Sequence, residues 1–161
     1  MERRKRKIKI ISIVSVILII AVMTLSVIQF FISSKNTNDI ETIKISKSGY
    51  LLSTCTCEIN FSNNSFMYET VGYSESDESK TVYEKFTDKE AKSFMKKANF
   101  YGFFRWKESY DNSNVYDGKG VTIHIKFTDG SVQETNCYAK FPFTYDKMAE
   151  AFYETFGYNI L

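Results

Sequence analysis

At 161 residues, with a formal charge of +2, the chain has material for one modest core and lacks the basic excess of a nucleic-acid binder. Its 14 Phe and 11 Tyr argue against intrinsic disorder, and three cysteines are too few for a disulfide-dense scaffold. One histidine in the whole chain leaves little for a histidine-based catalytic or zinc cluster.

The charge is unevenly placed. Residues 1–9 carry Arg3, Arg4, Lys5, Arg6, Lys7 and Lys9 against Glu2, and residues 10–32 then hold no charge, proline or glycine. Sixteen of these 23 residues are Ile, Val, Leu or Phe. As a helix they would extend ~35 Å, against ~30 Å of bilayer hydrocarbon. The spacing predicts a single transmembrane helix over 10–32. The basic tail 1–9 stays in the cytoplasm, and everything beyond lies outside. The run is longer than a signal-peptide core and leaves through Gln29, Phe30, Phe31 and Ile32, without a small-x-small cleavage site, so it reads as a retained anchor. From Ser33 onward, 15 basic residues face 18 acidic ones, and this outer part has no electrostatic case for nucleic acid.

Residues 33–39 are polar and read as a juxtamembrane linker, and 40–161 as one domain. Thr42–Lys47 and Thr54–Phe61 alternate like strands, and Phe66–Tyr73 returns after an Asn63-Asn64 turn. An acidic loop, Ser74–Lys80, lacks the spaced ligands of a calcium site. Thr81–Phe86 is a fourth strand. Thr87-Asp88-Lys89-Glu90 then fits a capping box, followed by an apolar stripe of Ala91, Phe94, Met95 and Ala98.

That helix should end near Asn99, before the densest aromatic run of the chain, Phe100-Tyr101-Gly102-Phe103-Phe104-Arg105-Trp106. Such rings fill a core or form a recognition patch, and core filling is the favoured reading. Tyr101, Phe103, Arg105, Trp106 and Tyr110 are the candidate patch. Glu108–Gly120 reads as a polar loop in which Val115 breaks any EF-hand pattern. Val121, Ile123, Ile125 and Phe127 alternate with Thr122, His124, Lys126 and Thr128. Asp129-Gly130 then supplies a two-residue hairpin turn, with both residues at positive φ, and Ser131–Tyr138 returns. His124 falls on the wet face with no orienting partner or nucleophile evident. A last helix starts at Thr144 with the stripe Tyr145, Met148, Ala149, Phe152 and Phe156, is capped by Gly157, and leaves Tyr158, Ile160 and Leu161 to tuck back.

Cys55 and Cys57 share a strand face, and either would reach Cys137 if the two strands were neighbours. Three buried thiols are the favoured reading, with one thiol in any case left over from an odd count; the alternative is a disulfide from Cys57, or Cys55, to Cys137. No metal-ligand or cofactor spacing is present, and no cofactor is expected.

Asp117-Gly118, the alternating strand, Asp129-Gly130, Phe141-Pro142 and the Tyr145–Phe156 helix together resemble small secreted, lipid-anchored or membrane-anchored extracytoplasmic proteins of low-GC Gram-positive bacteria. The resemblance covers about a third of the chain and implies a location and a host class, since no activity is assigned to that group. The chain departs from the pattern in Val121, where an aromatic is frequent, and in lacking a lipidated cysteine.

The expected fold is α+β, an antiparallel sheet with two amphipathic helices on one face. The expected function is a non-catalytic binding module anchored by residues 10–32, with an envelope or membrane protein as partner. The alternative is a cell-envelope hydrolase using carboxylates among Glu58, Glu69, Asp111 and Asp117, which would need two of them roughly 5–9 Å apart in a cleft.

Overall fold

The computed structural model describes residues 19, 20, 24, 39–49, 52–72, 78–116 and 118–161. The chain divides into two units, 1–35 and 36–161. In the first, Ile19, Ile20 and Thr24 are helical; the rest of the expected anchor and its basic tail lie outside the described residues. Among the described residues no helix is long and apolar enough to cross a membrane.

The second unit is α+β, and β-branched alternation makes most of its strands. β1 (Ile40–Gly49), β2 (Leu52–Asn60), β3 (Ser65–Val71), β4 (Lys80–Lys85), β5 (Ser109–Asp111), β6 (Gly120–Phe127) and β7 (Val132–Tyr138) form one mixed sheet. Its order is β4-β3-β2-β1-β6-β7-β5. All neighbours are antiparallel except β5, which runs parallel to β7. The expectation of a wholly antiparallel sheet is corrected there. Three residues, Ser-Tyr-Asp, show no alternation to read, and β5 exists because β7 offers it a free edge.

Two helices, α1 (Asp88–Phe100) and α2 (Tyr145–Phe156), cover one face. Period two puts Ile43, Ile45, Cys57, Ile59, Phe66, Ile123 and Ile125 on that face, all buried. The helices meet it through rings. Phe94 of α1 lies 4.8 Å from Phe152 of α2, and Phe66 of β3 lies 5.0 Å from Phe156. The capping box forms as expected, with Glu90 N–H donating to Thr87 Oγ1 at 3.3 Å and Thr87 N–H to Glu90 Oε2 at 2.7 Å. These two backbone bonds start α1 where the sequence places it.

Other local expectations shift. The β6–β7 turn has three residues, Thr128–Gly130, with Lys126 opposite Val132 and only Gly130 at positive φ (82°). Asp129 instead accepts the Ser131 N–H at 2.8 Å, closing a side-chain turn that needs no left-handed aspartate. Thr144 does not cap α2 with its side chain. Gly157 does end that helix at φ 77°, and Ile160 and Leu161 return to the core.

The Cys57–Cys137 disulfide is contradicted: all three thiols are free and buried. Strand order is the reason. β1 and β6 separate β2 from β7, so the two cysteines lie three strand spacings apart, about 14 Å, where a disulfide needs Cα atoms within about 7 Å.

Candidate functional site

The aromatic run packs mainly into the core, the reading favoured for it, and the alternative exposed patch does not form. Phe103 and Trp106 are 1% and 7% exposed, and their rings lie 4.9 Å apart. Gly102, at φ 70°, turns the chain sharply after α1, and the short 3-10 helix Phe103–Arg105 drives Phe103 under α2 against Phe152 at 5.7 Å. Trp106 Nε1 donates to Thr144 Oγ1 at 3.2 Å, and Thr144 Oγ1 donates to the Tyr101 carbonyl at 2.8 Å. This is why Thr144 is unavailable as a cap. Arg105 donates from Nη2 to the Asn99 carbonyl at 3.3 Å. Tyr110 receives the Lys107 N–H on its hydroxyl at 3.1 Å. Tyr101, Arg105 and Tyr110 are half-buried and Phe100 is 78% exposed, so what the run leaves outside is one ring and a rim.

The face opposite the helices presents its side chains in ordered rows. One row runs Tyr83, Met67, Glu58, Lys44, His124, Glu134 across six strands. A neighbouring row runs Lys85, Ser65, Asn60, Thr42, Lys126, Val132. No described helix covers this face. Where the two rows cross β2, β3 and β4, a depression of about 510 Å³ opens, lined by Glu58, Asn60, Ser65, Met67, Tyr83 and Lys85, with Asn63 from the turn. That size falls in the range of small-molecule sites. Ser65 is the smallest side chain of the six and lowers the floor, while Tyr83 and Lys85 stand on the edge strand as a wall.

The sequence could not show that His124 has a carboxylate neighbour. Register places Glu134 directly opposite, with Nδ1 3.4 Å from Glu134 Oε2. Glu134 Oε1 accepts Asn136 Nδ2 at 2.6 Å, and Asn136 Oδ1 accepts Thr122 Oγ1 at 2.9 Å. This chain of bonds fixes the imidazole on an open surface, and among the described residues no contact gives it a nucleophile to activate.

Of the four hydrolase carboxylates, Glu58 and Glu69 are diagonal neighbours on β2 and β3. Both are half-exposed on the open face, and only Glu58 lines the depression. A general acid needs burial to hold its proton near neutral pH. Asp111 lies at the far sheet edge, and Asp117 falls outside the described residues. Among the described residues no cluster of three or more metal-ligating side chains occurs.

Towards the other end of the helix-covered face, Cys55, Cys137 and Tyr145 are buried and Tyr68 is half-buried. Burial pushes the Cys137 thiol up to about 11 and Tyr68, which is hydrogen-bonded to Cys55, up to about 12. The Cys57 thiol and the Tyr145 phenol are pushed higher still, again by burial. Lys119 stands over the Tyr145 ring at 4.9 Å, and burial followed by repulsion from Lys47 lowers its affinity for a proton. These thiols are held protonated, which is the state of inert structural cysteines.

Comparison with known proteins finds no matching family model, no matching curated protein and no matching solved structure. Function is therefore read from the site and the sequence alone.

Proposed function

We propose that the chain is a non-catalytic extracytoplasmic binding module, tethered to the membrane by residues 10–32 and recognising its partner with the uncovered sheet face. One observation carries the binding half of this reading: seven strands have one face packed under two helices and the other face open, with a small-molecule-sized depression in it. The apolar run behind a basic tail supports the tether and its orientation. The hydrolase alternative draws no comparable support, since Glu58 and Glu69 share a wet surface rather than a closed cleft.

Orientation is tested with Tyr116→Cys, a substitution at a side chain 94% exposed. The three native thiols are buried, so background labelling should be low. A membrane-impermeant maleimide should label the variant on intact cells; labelling only after lysis would reverse the orientation. The recognition face is tested in the same membranes with a photo-cross-linking residue at Lys44, on the open face, or at Tyr153, on the helix side. The expected result is a discrete adduct from position 44 and none from 153. The same adduct from both positions would refute the assignment of the face.

A further inference from the structure

We propose that the depression on β2, β3 and β4 binds a neutral glycan bearing 2-acetamido sugars, with Tyr83 as the stacking platform. The inference rests on the binding-module reading above and gives it a ligand class. Tyr83 is 76% exposed and stacks on no other described ring. A large exposed ring beside convergent polar groups suits a ligand that is apolar on one face and hydrogen-bonding at its edge, and a pyranose ring has that shape.

The polar groups are pre-set. Asn60 Oδ1 accepts the backbone N–H groups of Ser62 and Asn63 at 3.0 and 3.3 Å. Its amide is thereby oriented, with Nδ2 turned away from the turn as a donor. Glu58, one row along β2, is an acceptor with no ion pair among the described residues. Met67 lies opposite Glu58 on β3 and supplies an apolar patch. An acetamido group meets all three: its carbonyl accepts from Asn60, its N–H donates to Glu58, and its methyl rests on Met67. Lys85 is held by the Asn63 carbonyl at 3.0 Å, and Glu58 in the same lining offsets its charge. A site without positive excess does not favour a phosphate or carboxylate ligand.

A peptide is the weaker candidate for this position. An added strand would use the free backbone edge of β4, whereas the depression lies on the sheet's face. Two other features were weaker still. A second depression of about 520 Å³ between α1 and the 61–64 turn has Phe61 and Met95 in its lining but nothing that selects an occupant. The Tyr145 hydroxyl is buried without a hydrogen-bond partner, yet no depression among those described includes it.

The test uses the full chain in detergent micelles with chitotetraose as the acetamido probe and cellotetraose as the control lacking that group, both followed by calorimetric titration. Chitotetraose should bind at least tenfold more tightly than cellotetraose. Tyr83→Ala should weaken chitotetraose at least tenfold, Tyr83→Phe should stay within threefold of the native chain, and Glu58→Gln should weaken it by a clear margin. Unfolding midpoints of the variants serve as the control for folding. Absence of binding at about 1 mM probe, equal binding of the two sugars, or binding indifferent to Tyr83→Ala would each overturn the proposal. Outside labelling at position 116 together with no sugar binding would remove the glycan and leave the anchored module standing.

Discussion

Replacing Trp106 with alanine is expected to destabilise the domain by ~3–5 kcal/mol, the usual cost of emptying a large aromatic site in a core. The ring is 7% exposed and packed edge-on against Phe103. Its indole N–H also holds Thr144, which in turn closes the Tyr101 carbonyl at the end of α1. The substitution therefore leaves a cavity and loosens the joint between the two helices. Thermal unfolding followed by far-ultraviolet circular dichroism should show the midpoint falling by roughly 10–20 °C. A variant that keeps its native midpoint but loses partner capture would restore the recognition patch that burial argues against.

Raising the pH is expected to unfold the domain well before its lysines titrate in bulk. Five groups on the helix-covered side, Cys55, Cys57, Cys137, Tyr68 and Tyr145, are held protonated by burial. The unfolded chain gives up its thiol protons near 9, whereas folded Cys137 holds its proton to about 11. Above pH 9 the unfolded state binds fewer protons, so stability falls as pH rises. The contribution is whole below pH 9 and is lost on the way through the folded values. Urea midpoints should be level between pH 7 and 8.5 and decline steadily from 9 to 10.5. Cys137→Ala should flatten part of that decline, and a level profile to pH 10.5 would contradict the burial of these groups.

The helices and long strands were legible because their signals are local. Thr87 and Glu90 announce a helix start whatever surrounds them, and the alternation from Val121 to Phe127 fixes which residues face the core. Strand order was not legible, because β1 pairs with β2 next to it and equally with β6, about eighty residues away, and no local signal encodes the second pairing. The failed disulfide follows directly from that gap, and so does the unseen Glu134 beside His124. The aromatic run was legible only as a preference for the core. Its composition suits a core and a patch alike, and the choice is made by Gly102, whose left-handed turn points Phe103 inward. The candidate depression lay in plain view as Asn60, Ser65, Met67 and Tyr83, but only register brings four scattered residues into two adjacent rows.

β1 is the first strand of the domain and the middle one of the sheet, laddered to β2 over Thr42–Gly49 and to β6 over Ile40–Ser48. A pull applied along the chain at Asp39 acts parallel to this strand, at right angles to the hydrogen bonds on both of its sides. The bonds are then loaded together in shear rather than opened one by one. Tension along β1 therefore meets two ladders loaded in shear, where an edge strand held by a single ladder would peel away.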